Sequence, residues 1–325
     1  MTKQSKALCA LIMCVIFWGI SFISIKITVA VFPPMTLGAL RFSMAIIFLY
    51  FIKRKLAPNE KINKGDFPLL AGASLTGVTF YFFFENNGVS MLPASEASIT
   101  AGAVPIIVMI ADALGEKIAS IRNRKAGKTE NNSSDEINVA KNNALHRIII
   151  PLSGALISLT GVSLVAGISF SISGTAKGYF YMAGACACWV CYCFLTRPLF
   201  ARHSQIFIVF WQSAIGFLGF LPFTIFEITQ LTPWVSPGFY VWSNVLFLGI
   251  FCSAICYWAY AHALEVLGVG ISSLFINFVP VISAIFGFFV LGERLQPLQW
   301  LGAALVLAGV YLAMAAKTKT RNQGQ

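Results

Sequence analysis

The sequence predicts an all-α membrane protein of ten transmembrane helices arranged as two inverted five-helix repeats. Three observations carry that expectation. Of the 325 residues, 58% are hydrophobic and only 11% charged, whereas a soluble domain has about 25% charged residues. So few charges cannot cover a water-facing surface, and most of the surface is expected to meet lipid. Apolar stretches of about 20 residues, the length that crosses a bilayer core, recur ten times. Segments of the first half also reappear, in order, in the second.

The ten expected spans cover roughly 7–31, 35–52, 67–89, 94–114 and 147–168, then 178–200, 206–228, 240–264, 269–291 and 298–316. Two units follow, 7–168 and 178–316. Connections are short and marked by Pro, Gly or charge. One differs: 117–146, with its run RNRKAGKTENNSSDEINVAKNN, has too little apolar surface to order itself. It is expected to be a polar cytoplasmic loop. The first apolar run is too long for the core of a secretory signal and reads as an uncleaved span.

The net charge of +11 follows the membrane rather than a nucleic acid. With the N-terminus placed inside, 19 Lys and Arg fall on inner segments and 3 (Lys26, Lys177, Arg294) on outer ones, with Arg41 within a span. Lys and Arg concentrate on the cytoplasmic side. Both termini are therefore expected in the cytoplasm of a multi-pass protein of the cytoplasmic membrane. An even number of spans fits this asymmetry.

The eight Cys all lie in apolar segments. The run CACWVCYC resembles a metal box, but on a helix its thiols spread around the circumference. Packing is the expected role, and no metal or cofactor is expected.

The repeat appears at three offsets. A shift of about 175 brings GAVPIIVMIADALGEKI onto NFVPVISAIFGFFVLGERL, with Pro105 on Pro280 and Asn87 on His262. A shift of 171 brings Trp18 onto Trp189 and Arg41 onto Gln212; one of 148 brings GALISLTGV onto GAALVLAGV. The change in offset falls at the polar loop. Each unit has five spans, an odd number, so the second enters from the opposite face. Inverted repeats of this kind recur in transporters.

The LGER after a Pro-containing span, the GAALVLAGV of the last span and the IFWGISF of the first resemble the EamA branch of the drug/metabolite transporter superfamily, over nearly the whole chain. The resemblance implies ten helices, termini inside, and export or exchange of small metabolites such as amino acids. Two features depart from it: a longer polar insertion, and a shorter Pro-to-Glu spacing beside Asp112.

Ionisable groups are costly within a bilayer and usually face a cavity or a partner. Arg41 is expected to meet an anionic solute or a carboxylate such as Glu85 or Glu96; a structural ion pair or snorkelling is the alternative. Glu85, Asn86 and Asn87 follow the aromatic run FYFFF. Trp18, Tyr81, Trp189, Tyr192 and Tyr257 fall mid-span and are candidates to line a cavity, with packing as the alternative. Gln212 and Asn277 complete the candidate site. Asp112 reads as loop-proximal, and Glu116 and Glu293 as helix anchors. Pro105 and Pro280 each withdraw a backbone donor and are candidate hinges. Gly154, Gly161, Gly302 and Gly309 form a close-packing stripe.

A secondary transporter is therefore expected, with the bilayer and a small-molecule solute as partners, no nucleic acid, and a homodimer as an option. No Walker loop, HExxH or GxSxG occurs. An intramembrane enzyme or a non-transporting scaffold or sensor are the alternatives.

Overall fold

The computed structural model describes residues 2–92, 150–165, 176–230, 237–291 and 297–322, with isolated helical positions between 97 and 111. Among them there is no strand. The helices are α1 (Lys3–Val29), α2 (Pro34–Leu56), α3 (Phe67–Met91), α4 (Ile150–Val165), α5 (Ala176–Thr196), α6 (Gln205–Gln230), α7 (Phe239–Leu267), α8 (269–291) and α9 (Pro297–Asn322). Helices α1, α2, α3, α6 and α7, and α5 with the 3-10 turn that extends it to Ala201, are long and apolar enough to cross a membrane. Shorter apolar segments occupy 152–161, 269–283 and 300–312. The chain is a multi-pass membrane protein. Most of the expected span 94–114, the polar stretch 117–146, and Glu96, Asp112, Glu116 and Glu293 lie outside the described residues.

Local chemistry sets the helix ends. The Thr2 hydroxyl accepts from the Ser5 amide at 3.1 Å and starts α1. Pro33 and Pro34 open α2, where a missing amide hydrogen costs nothing. Lys53, Arg54 and Lys55 close it, as the negative end of a helix dipole favours. Gly268, with φ +83°, breaks the chain between α7 and α8 in a conformation that suits glycine.

Two carboxylates absent from the sequence reading cap a pair of helices. Glu227, near the end of α6, accepts from the Met35 and Thr36 amides at 3.0 and 2.7 Å at the start of α2. Glu60, beyond the end of α2, accepts from the Ser204 amide at 2.7 Å, just before α6. The start of each helix is thus capped by an acid at or just beyond the end of the other. Between the caps, Phe220 of α6 lies against Gly38 of α2.

Helices α4 and α9 meet through the glycine stripe. A Cβ on Gly161 would lie 2.5 Å from the Gly302 carbonyl and 2.7 Å from the Val306 amide. A Cβ on Gly309 would meet the Gly154 carbonyl and, at 2.6 Å, the Ser158 amide. The 148-residue offset carries the first set of contacts onto the second, residue for residue. This backbone approach is possible only without side chains, as in membrane helix pairs generally.

Helices α3 and α7 each depart from α geometry once, in wider π turns at Leu75–Phe80 and Leu248–Ile255. The 175-residue offset superposes these two segments. The thiols of α5 spread around it: Cys186 and Cys193 are buried, Cys188 half-buried and Cys191 exposed.

Two outcomes test this packing. Gly161→Leu should lower stability by more than the roughly 1–3 kcal/mol of ordinary overpacking, because the clash is with backbone; a thermal melt in detergent checks it. Glu227→Ala should cost about 1 kcal/mol, the usual loss of a helix cap, with Glu227→Gln milder in the same assay.

Candidate functional site

A cavity lies between the helices of the bundle. Its volume is about 60 Å³, room for several waters or a small group. Trp18 of α1, Arg41 of α2, Tyr81 and Glu85 of α3, Trp189 of α5 and Tyr257 of α7 line it. The helices of both halves of the chain therefore share it.

Its position along the bundle is lopsided. The lining residues come from the later part of α1 and α3 and from the earlier part of α5. The cavity thus lies toward the end where α1 and α3 finish and α5 begins. Toward the other end the interior is filled: Leu11, Cys14, Tyr192, Cys193, Cys256 and Tyr260 are almost wholly buried.

Arg41 is the cavity's cation. It is 2% exposed. Its Nε donates to the Ser253 hydroxyl at 3.2 Å, and its guanidinium lies 4.4 Å from the centre of the Phe82 ring. Its Nη1 is buried without a hydrogen-bond partner. Glu85 is the cavity's acid, and the Tyr81 hydroxyl donates to it at 2.7 Å. No ion pair joins Arg41 and Glu85, although both face the same space. A buried charge without a direct partner is expensive. An arrangement that leaves an arginine nitrogen free beside a cavity can receive an anionic or strongly polar group there.

The walls are aromatic. The Trp18 and Trp189 rings meet edge to face at 5.5 Å, Tyr81 and Trp189 at 5.0 Å, and Trp189 and Tyr257 at 5.9 Å. Such surfaces suit an apolar or aromatic portion of a solute.

The structure brings together six of the sequence-derived candidates: Trp18, Arg41, Tyr81, Glu85, Trp189 and Tyr257. Four lie elsewhere. Asn86 donates to the Pro34 carbonyl at 2.8 Å and ties α3 to α2. Gln212 donates to Thr196 at 2.9 Å and links α6 to α5. Asn277 donates to Ser158 at 2.8 Å and links α8 to α4. Tyr192 packs its ring against Gly77 in the filled half. Pro105 and Pro280 are buried in helical segments, and a 3-10 turn at Phe275–Asn277 precedes Pro280.

Sequence reasoning passed over Ser253, Phe82 and Cys186. Ser253 and Phe82 hold Arg41; Cys186 lines the cavity. A small polar residue opposite a buried arginine was the available signal for Ser253, but the pairing joins positions 212 apart in sequence. Sequence reasoning also passed over a polar cluster between α2 and α6, away from the cavity. There His203 lies 3.2 Å from both Glu60 and Asp66, and Arg202 pairs with Asp66.

Comparison with known proteins fixes the class as a membrane transporter. The pattern of the EamA-like transporter family matches residues 5–121 and 176–315, and the chain belongs to that family. It is similar to a protein of Streptantibioticus cattleyicolor described as a "Probable terminal-alkyne amino-acid exporter", at 24% identity over 95% of this chain and 94% of that one. It is also similar to an Escherichia coli protein described as a "Probable amino-acid metabolite efflux pump", at 25% identity over 96% and 95%. A solved crystal structure shares the fold with a TM-score of 0.70 at 18% identity, covering 96% of each chain.

If Arg41 and Glu85 are held for function rather than stability, removing both charges should not weaken the fold. The double variant Arg41→Met, Glu85→Gln should melt at or above the native temperature, since removing both charges together leaves none buried without a partner. Differential scanning fluorimetry in detergent checks it; a fall of many degrees would show the charges to be structural.

Proposed function

We propose that the protein is a secondary transporter that exports or exchanges a small metabolite, of the amino-acid class, by alternating access. The observation that carries this reading is the shared cavity: a free arginine nitrogen and a carboxylate, walled by aromatic rings, placed between helices of both halves and off-centre along the bundle. An amino acid presents a carboxylate for Arg41, an ammonium for Glu85 and a side chain for the rings. The names of the two relatives support the same solute class.

In this reading the chain forms ten helices in two inverted units, 7–168 and 178–316. Support comes from the two stretches matched by the family pattern, the reciprocal contacts of α4 with α9, and the matched π turns. Both termini lie in the cytoplasm, and the cavity faces outward. Trp18, Arg41, Tyr81, Glu85, Trp189 and Tyr257 contact the solute, while Asn86, Tyr192, Gln212 and Asn277 set the helices around it. Pro105 and Pro280 act as hinges, where a missing amide hydrogen makes bending cheap.

Reconstituted proteoliposomes test this directly. Labelled amino acids should cross the membrane with the protein present and not without it. Arg41→Ala should lower that flux about tenfold or more, the loss expected when a hydrogen bond to a charged group is removed. The variant should retain the native elution profile in size-exclusion chromatography. Undiminished flux would remove Arg41 from the site, and no flux across a broad solute panel would remove the transport reading.

A further inference from the structure

The two π turns do more than bend their helices. Gly77 in the first and Cys252 in the second occupy equivalent places at the 175-residue offset. Each carbonyl accepts a hydrogen bond from an aromatic side chain that lines the cavity. The Trp18 indole donates to the Cys252 carbonyl at 3.2 Å, and the Tyr257 hydroxyl donates to the Gly77 carbonyl at 2.8 Å. A π turn displaces carbonyls from the regular ladder, and inside a bilayer they must find a partner within the protein.

The donors are not equivalent, although the acceptors are. Trp18 corresponds to Trp189, which has the same indole but makes no bond to Gly77. Its ring lies instead 5.3 Å from that of Tyr260, while Tyr257 occupies the Gly77 carbonyl. Tyr257 in turn corresponds to Phe82, which has no hydroxyl to offer Cys252. Trp189 stands close by, its ring 5.1 Å from that of Tyr192, which packs on Gly77.

We infer that these two carbonyls are the paired contacts of a conformational switch. In the conformation described here Trp18 holds Cys252. In the opposite-facing one Trp189 holds Gly77, and Trp18 and Tyr257 let go. The exchange makes and breaks bonds at the cavity wall itself, so a solute resting on the two indoles acts on the switch directly. The hydroxyl present on Tyr257 and lacking on Phe82 biases the resting protein toward the conformation seen. This inference rests on the alternating-access reading and specifies which side chains carry the exchange.

Hydrogen–deuterium exchange of the full chain in lipid nanodiscs tests it. Two stretches flank the cavity, 81–89 and 178–186; two belong to the filled end, 192–201 and 258–264. Tyr257→Phe removes a bond that favours the present conformation, and Phe82→Tyr adds one that favours the other. Both should therefore lower exchange in the first two stretches and raise it in the second two. The shift in population should be roughly two- to tenfold for each hydrogen bond. Trp189→Phe should shift exchange the opposite way. Should Phe82→Tyr fail to fold, the other two variants still oppose each other in sign. Changes of the same sign in all four stretches, or no change in any variant, would overturn the switch. Intact flux of labelled amino acids alongside such a result would leave the transport reading standing. If neither solute nor variant ever brings 192–201 into exchange, alternating access fails with the switch.

Discussion

Lipid offers the backbone no hydrogen-bond partner, so every amide and carbonyl within the bilayer must be satisfied by the protein itself. That constraint explains why every described span is helical. It also explains why several departures from the α ladder have a polar side chain beside them. The π turns of α3 and α7 have Tyr257 and Trp18 at their carbonyls. The open start of α2 has Glu227. Lys26 reaches the Val89 and Leu92 carbonyls where α3 ends. These polar contacts are between distant parts of the sequence, so satisfying the backbone also fixes how the helices are assembled.

The same economy shapes the centre. In the cavity an arginine and an acid from different helices border the same space. Arg41 is held from two sides, by Ser253 and by the Phe82 ring, and still retains a free nitrogen. Holding a charge in this way costs stability, and the cost is repaid in the proposed mechanism by the solute. Reciprocal arrangements around it, the Glu227 and Glu60 caps and the contacts of α4 with α9, support the reading of two inverted units that exchange conformations.

Much of this was legible in the sequence, and the reasons are physical. Spans follow from hydropathy because the bilayer has a fixed thickness. The glycine stripe was legible because equal spacing on one helix face means close approach, and Gly161 and Gly309 do lie against backbone. The six cavity residues were polar or aromatic in otherwise aliphatic spans. Other features left no local trace. Neither LTGVTF nor LGIFCSAI contains the proline that usually marks a disturbed helix, so the π turns were silent. Glu60 and Glu227 looked like ordinary acids at span ends, because their partners lie over 140 residues away. Asn277, three residues before Pro280, read as a candidate ligand group, and its bond to Ser158, 119 residues away, had no local sign. Sequence marks which residues are unusual for a membrane more readily than which of them meet.

Alternating access requires that the cavity be reached from the two faces of the membrane in turn. Ser21 lines it. A Ser21→Cys variant in vesicles of known orientation can be exposed to a membrane-impermeant thiol reagent on one side at a time. Comparison with the unsubstituted protein subtracts labelling of the native thiols. We predict labelling from either side, a change in the ratio when amino acids are added, and no leak of small ions. Labelling from one side only under every condition, or a steady ion leak, would contradict the account.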